Sequence, residues 1–152
     1  DAFVDGQILD GPWAMTAGLK GERLRLWDPG PASLARWTPI AMSENPLRWY
    51  CTQFTLSDDE MTDPAPWAFD AEGLNKGYVW VNGHCLGRYW TIVARHEVTD
   101  HRDNPLIHLG PAEIPTQLYY HIPSDWLGRD NLLIVFEEQG ALPNEARLVR
   151  RR

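Results

Sequence analysis

The 152-residue sequence predicts an all-β sandwich of antiparallel sheets, on three observations. Apolar residues never recur at i, i+3, i+4 and i+7 over a long stretch, so helical periodicity is missing. Twelve prolines and twelve glycines divide the chain into short elements joined by turns. At Tyr78-Val79-Trp80-Val81 a strand pattern ends on Asn82-Gly83, a dipeptide that tolerates positive φ at both positions and marks a β-hairpin. Residues 1–152 read as one domain of eight or nine strands.

The elements follow in order. Trp13 to Leu19 is expected as a first strand, closed by a turn at Gly18 to Glu22. Glu22 to Trp27 alternates Arg23, Leu24, Arg25 and Leu26, the pattern of a half-buried strand. Residues 28–46 hold four prolines and read as loop. Leu47 to Leu56 is rich in aromatic and β-branched types and predicts a strand. An acidic loop is expected at Ser57 to Pro66, then a strand at Trp67 to Ala71 and a tight loop at Gly73 to Gly77. Cys85 to Trp90 returns as the partner of Tyr78 to Val81, with an irregular turn at Gly83-His84. Period-two alternation puts Val79 and Val81 on one face, Tyr78 and Trp80 on the other.

Residues 91–116 show no regular element, and a loop this long carries function more often than a short one. Gln117 to Ile122 predicts a strand, and Ser124 to Leu127 a short helical turn capped by Ser124. The nearly unbroken apolar run within Asn131 to Glu138 predicts a central strand covered on both faces. Ala146 to Val149 closes the fold. Val79, Val81, Leu132, Ile134, Phe136, Tyr50 and Phe54 are expected between the two sheets.

Composition narrows the function. The net charge of −7 repels a polyanion, so nucleic acid is not an expected partner. No run approaches the ~20 apolar residues of a membrane span. The chain opens on Asp1 and reads as a processed or excised piece, and a monomer is expected. Cys51 and Cys85 allow one disulfide but are expected as free thiols, one mid-strand and one beside a turn. A (β/α)₈ barrel needs about 250 residues, more than the chain has. Glu137 and Glu138 are strand neighbours on opposite faces, so they cannot flank one glycosidic bond. No nucleophile elbow, zinc-protease helix or phosphate-cradling glycine loop is present. The chain is therefore expected to be non-catalytic.

Several segments together resemble one family. GLNKGYVWVNGHCLGRYW, from Gly73 to Trp90, is similar to the signature of the C-terminal jelly-roll domain of plant and bacterial beta-galactosidases. LRWYCTQFTL, QLYYHIPSDWL, NLLIVFEEQGALPNEARLV and AGLKGE agree in order and spacing, covering roughly residues 11–150. The resemblance implies a galactose-binding-domain-like jelly roll of two antiparallel sheets. It also implies a parent enzyme, secreted or periplasmic, whose separate barrel carries the catalytic glutamates. The family's plant members carry cysteines in the loop that corresponds to 91–116, and this chain does not.

Two functions stay open. One is a carbohydrate-binding module for a galactose-containing or related polysaccharide or oligosaccharide. The other is a structural accessory domain that packs on the catalytic domain without touching sugar. Sugar binding asks for a flat aromatic face and for forked polar groups that read hydroxyls. Asn82, His84, Arg88 and Trp90 offer such groups within one hairpin, Trp37 and Trp126 sit at rim positions, and His101 lies in the long loop. Packing is the competing role, above all for Arg88, Tyr89 and Trp80, with Arg88 paired to a carboxylate such as Glu138 or Asp70. No cofactor is implied, and a structural calcium near Asp58, Asp59 and Asp63 is the one open exception.

Overall fold

The structure, a computed structural model, describes residues 3–4, 7–8, 18–41, 45–91, 93, 115 and 117–151. Nine strands lie among them: β1 (Phe3–Val4), β2 (Gln7–Ile8), β3 (Arg48–Thr55), β4 (Trp67–Asp70), β5 (Lys76–Val81), β6 (His84–Trp90), β7 (Tyr119–Ile122), β8 (Asp130–Glu137) and β9 (Arg147–Arg150). Three short helices join them: α1 (Lys20–Arg23), α2 (Pro29–Leu34) and α3 (Asp58–Thr62). Two antiparallel sheets make the sandwich, one of order β3-β8-β5-β6 and one of order β7-β4-β9, and β1 pairs with β2 in a separate two-stranded antiparallel sheet. The result is the expected jelly-roll sandwich. β8 is central, paired with β3 on one side and β5 on the other.

The alternation read from the hairpin holds. Val79 and Val81 point between the sheets and pack with Phe69, Ile122, Leu133 and Val135. Tyr50 and Phe54 border that layer. Trp80 and Tyr78 point away, onto the outer face of the four-stranded sheet. Leu132, Ile134 and Phe136 lie on this outer face too, not between the sheets as expected. An apolar run hides its own alternation, and here both faces of β8 are covered. The cover is a second core. Trp27, Trp80, Trp49 and Phe136 stack in series, with centroids 5.8, 5.3 and 4.9 Å apart. Gly21 of α1 sits against Trp49 so closely that a β-carbon would strike the indole ring.

Three readings of local structure change. Glu22 to Trp27 is not a strand: α1 begins where the Glu22 carboxylate accepts the Leu19 N–H at 2.8 Å, and Arg25 has a φ of +52°. Of its two alternating leucines, Leu24 is exposed, so the pattern marked no sheet face. The 28–46 loop contains α2, started by Asp28, whose carboxylate accepts the Gly30 N–H, and by Pro29 at the first helical position. The acidic loop contains α3. Ser57 and Glu60 form a reciprocal capping box, and three acidic residues fill the first turn. The expected strand at Trp13 to Leu19 falls mainly outside the described residues, and Gly18 and Leu19 are not in a strand.

Two smaller readings also change. Ser124 begins the 3-10 turn Ser124–Trp126 but makes no side-chain cap, and Pro123 holds the cap position. At the hairpin Asn82 and Gly83 have φ of +49° and +87°, as the dipeptide predicts. The irregularity sits further along: Val79 pairs with Gly87 and Trp80 with Cys85, so Leu86 is a bulge residue.

Tyr89 ties the two halves of the four-stranded sheet. It is fully buried, and its hydroxyl reaches the Phe136 carbonyl at 3.0 Å and Glu137 Oε2 at 2.7 Å. Burial first, then the Glu137 bond, pushes its phenol far above the ordinary range. A proton held more tightly in the folded state contributes its full stability below the unfolded tyrosine value of about 10 and loses it as pH rises beyond. In an alkaline absorbance titration Tyr89 is expected to ionise only as the near-UV circular dichroism collapses. Ionisation of all five tyrosines with the fold intact would refute this.

Candidate carbohydrate site

The sequence candidates separate into three places. At the hairpin turn, Asn82, His84 and Trp126 come together. His84 and Trp126 stack on each other, 4.7 Å apart and 18° from parallel, so each covers a face of the other. The Asn82 amide donates to the Trp126 carbonyl and to Asn131 Oδ1, both at 2.8 Å, and accepts the Leu132 N–H at 2.8 Å. Asn131 in turn bridges Gly128, accepting its N–H and donating to its carbonyl. Asn82 is thus a fastener between the turn and the start of β8, with both amide hydrogens spent.

At the far end of the same hairpin lie Arg88 and Trp90, on the outer face of edge strand β6. One Arg88 nitrogen contacts both oxygens of Glu138 at 3.0 Å, and Lys76 approaches the same carboxylate at 3.4 Å. Arg88 and Lys76 both sit over the Trp90 indole, 4.9 and 5.2 Å from its centroid. The ring remains 47% exposed. Arg88 has the carboxylate partner expected of it, Glu138, whereas Asp70 pairs with Arg147. This cluster is a cation–π patch on the sheet edge in which two cations share one carboxylate.

Trp37 occupies the third place, near the outer face of the opposite edge strand, β3. Its indole N–H donates to the Ala32 carbonyl at 2.8 Å, which fixes the ring at the end of α2. The ring is 37% exposed and lines a cleft of ≈ 440 Å³ with Ser33, Cys51, Thr52 and Gln53. A second cleft of ≈ 440 Å³ adjoins it, sharing Pro29, Gln53 and Leu132 and continuing to Thr55, Asp130 and Asn131. Thr52 and Gln53 are exposed, and their side chains make no hydrogen bond among the described residues. The Ser33 hydroxyl donates to Gly30, which leaves its oxygen free to accept.

Thr52, Gln53 and Ser33 were not among the sequence candidates. The signal for Gln53 was present, because Trp49, Cys51, Gln53 and Thr55 alternate onto one face of a strand. His101 lies outside the described residues, as does most of the 91–116 loop. Two of the three acidic candidates are engaged elsewhere: Asp58 pairs with Arg129, and Asp63 is 3.6 Å from Arg150. Among the described residues no three His, Cys, Asp or Glu side chains gather as a metal would require. Cys51 and Cys85 are free thiols, Cys85 exposed and Cys51 half-buried in the Trp37 cleft with its thiol pushed up by burial.

Comparison with known proteins places this architecture. The family model "Beta-galactosidase, galactose-binding domain" matches residues 47–131, from the start of β3 into β8. The chain belongs to this family. The domain is also 29% identical over 158 residues to Beta-galactosidase 10 of Arabidopsis thaliana. That alignment covers 95% of this chain and 21% of the relative, so the domain corresponds to about a fifth of that protein. The match is to an accessory domain of a glycoside hydrolase. No helix among the described residues is long and apolar enough to cross a membrane.

Proposed function

We propose that the domain is a carbohydrate-binding module for a galactose-containing or related glycan, and that Trp37 is its stacking platform. Trp37 carries the reading. Of the candidate aromatics, Trp126 is stacked against His84 and Trp90 lies under two cations, whereas the Trp37 ring borders an open cleft with the uncommitted Gln53 amide and the Ser33 hydroxyl oxygen beside it. A pyranose laid on that ring meets amide and hydroxyl groups able to read its hydroxyls. The module serves a catalytic domain elsewhere in a secreted or periplasmic parent enzyme. It performs no hydrolysis itself and needs no metal.

Sugar hydroxyls exchange water for protein hydrogen bonds, so the net gain per bond is small and stacking supplies much of the affinity. A shallow site of this kind gives a dissociation constant of about 0.1–1 mM. Trp37→Ala is expected to weaken binding of galactose-containing oligosaccharides at least tenfold in titration calorimetry, about 1.4 kcal/mol. Trp90→Ala, on the other edge of the sheet, is expected to leave binding within about twofold. Saturating sugar should also slow the labelling of Cys51 but not of Cys85.

The structural reading draws support from a different observation. Leu34 is 85% exposed, and Ile40 and Leu47 are also largely in water, which suits a surface covered by a neighbouring domain. Absence of binding heat across a broad glycan panel would hand the case to it.

A further inference from the structure

We propose that the glycan held on Trp37 carries a flat apolar aglycone, and that this group enters a separate cavity behind the ring. This inference rests on the sugar site just described. The cavity measures ≈ 290 Å³ and wraps the edge of β3. It shares Trp37, Cys51 and Thr52 with the sugar cleft, so a ligand on Trp37 can reach both. Its other walls come from both sheets, through Trp49, Val135 and Phe69, and from the loops that hold Thr38, Ile40 and Pro143.

The two compartments differ in chemistry. In the cavity the Tyr50 hydroxyl already donates to the Ala141 carbonyl at 2.8 Å. The Thr38 and Thr52 hydroxyls remain at its edge, but the aromatic and aliphatic walls offer nothing to the other hydroxyls of a hexose, which is penalised there. An apolar cavity of about 150 Å³ accepts a benzene ring, whereas pockets for whole drug-sized ligands begin near about 300 Å³. At ≈ 290 Å³ the space holds one aromatic ring with its linking oxygen, and the mainly apolar lining is what disfavours a second sugar. The pairing of a polar, Trp-floored cleft with a mainly apolar, aromatic-walled cavity therefore selects an aryl glycoside.

The test compares methyl β-galactoside, phenyl β-galactoside and phenol on the 152-residue chain by titration calorimetry. Phenyl β-galactoside is expected to bind at least about tenfold more tightly than the methyl glycoside, because only it buries a ring. Ala146→Phe, which fills the cavity from β9's approach, should erase that advantage while methyl β-galactoside binding persists. Ile40→Ala, at the exposed rim where folding is not at risk, should shrink it about threefold. Equal affinity for the two glycosides overturns the aglycone inference and leaves the sugar site standing. No binding of either overturns the sugar site itself. Phenol binding as tightly as phenyl β-galactoside, with the methyl glycoside silent, overturns the joint ligand. An aryl advantage that survives Ala146→Phe in folded protein overturns the cavity assignment.

Discussion

Replacing Glu137 by alanine is expected to destabilise the sandwich by about 3–5 kcal/mol, a large share of a typical domain's stability. Glu137 is fully buried, at 0% exposure. Its carboxylate accepts the Tyr89 hydroxyl at 2.7 Å, the Asn75 N–H at 3.1 Å and the Gln139 N–H at 2.9 Å. Truncation leaves these donors without their acceptor, at about 1–3 kcal/mol for each that finds no water. Asn75 and Gln139 lie near the ends of their strands and recover part of that through solvent. Tyr89 turns to the Phe136 carbonyl, its second acceptor at 3.0 Å, and the space emptied at the fully buried Glu137 adds a cavity cost. Glu138 is the control: it meets Arg88 and Lys76 on a partly exposed edge, so Glu138→Ala is expected to cost about 1 kcal/mol or less. Urea unfolding of both variants decides, and equal midpoints would show that the buried carboxylate is not the anchor.

This contrast shows what the sequence could and could not convey. That the two glutamates face opposite ways follows from strand alternation alone. Which of them is buried depends on the partner sheet and on Tyr89, neither of which is local. The same limit explains the candidate site. Asn82, His84, Arg88 and Trp90 are within nine residues of one another, and that proximity suggested one binding surface. A strand rises about 3.3 Å per residue, so β6 carries Trp90 to the opposite end of the sheet from His84. Trp37 was recognisable as a rim residue because it sits in a proline-rich loop. Its cleft was not recognisable, since the walls come from α2 and β3, and α2 was read as loop. The segment from α1 to α2 defeated the reading because its elements are too short for periodicity and take their shape from packing on Trp49 and Trp80.

Gly77→Ala is expected to abolish stable folding, although the change adds a single methyl group. The sequence predicts Gly77 at the close of a tight loop. The structure places it inside β5, opposite Glu137 of β8 and Tyr89 of β6. A β-carbon there would collide with the Phe136 carbonyl and lie 2.7 Å from the Tyr89 hydroxyl. The obstacle includes central-strand backbone, which cannot swing aside as a flexible side chain would. Relief requires β5 to separate from β8, which breaks ladder hydrogen bonds and withdraws Tyr89 from Glu137. Overpacking usually costs about 1–3 kcal/mol, and losing the Tyr89–Glu137 anchor adds to it. Gly87→Ala isolates the steric cause. Gly87 sits at the β6 bulge with φ of +107°, yet nothing lies within 4 Å of its added β-carbon, so only backbone strain of about 1–3 kcal/mol applies. The Gly87 variant should therefore give a cooperative melt at lowered temperature, and the Gly77 variant none. A Gly77→Ala protein that melts like the parent would mean that β5 and β8 can part without loss, and that the close approach of Tyr89 is not what holds the sheet.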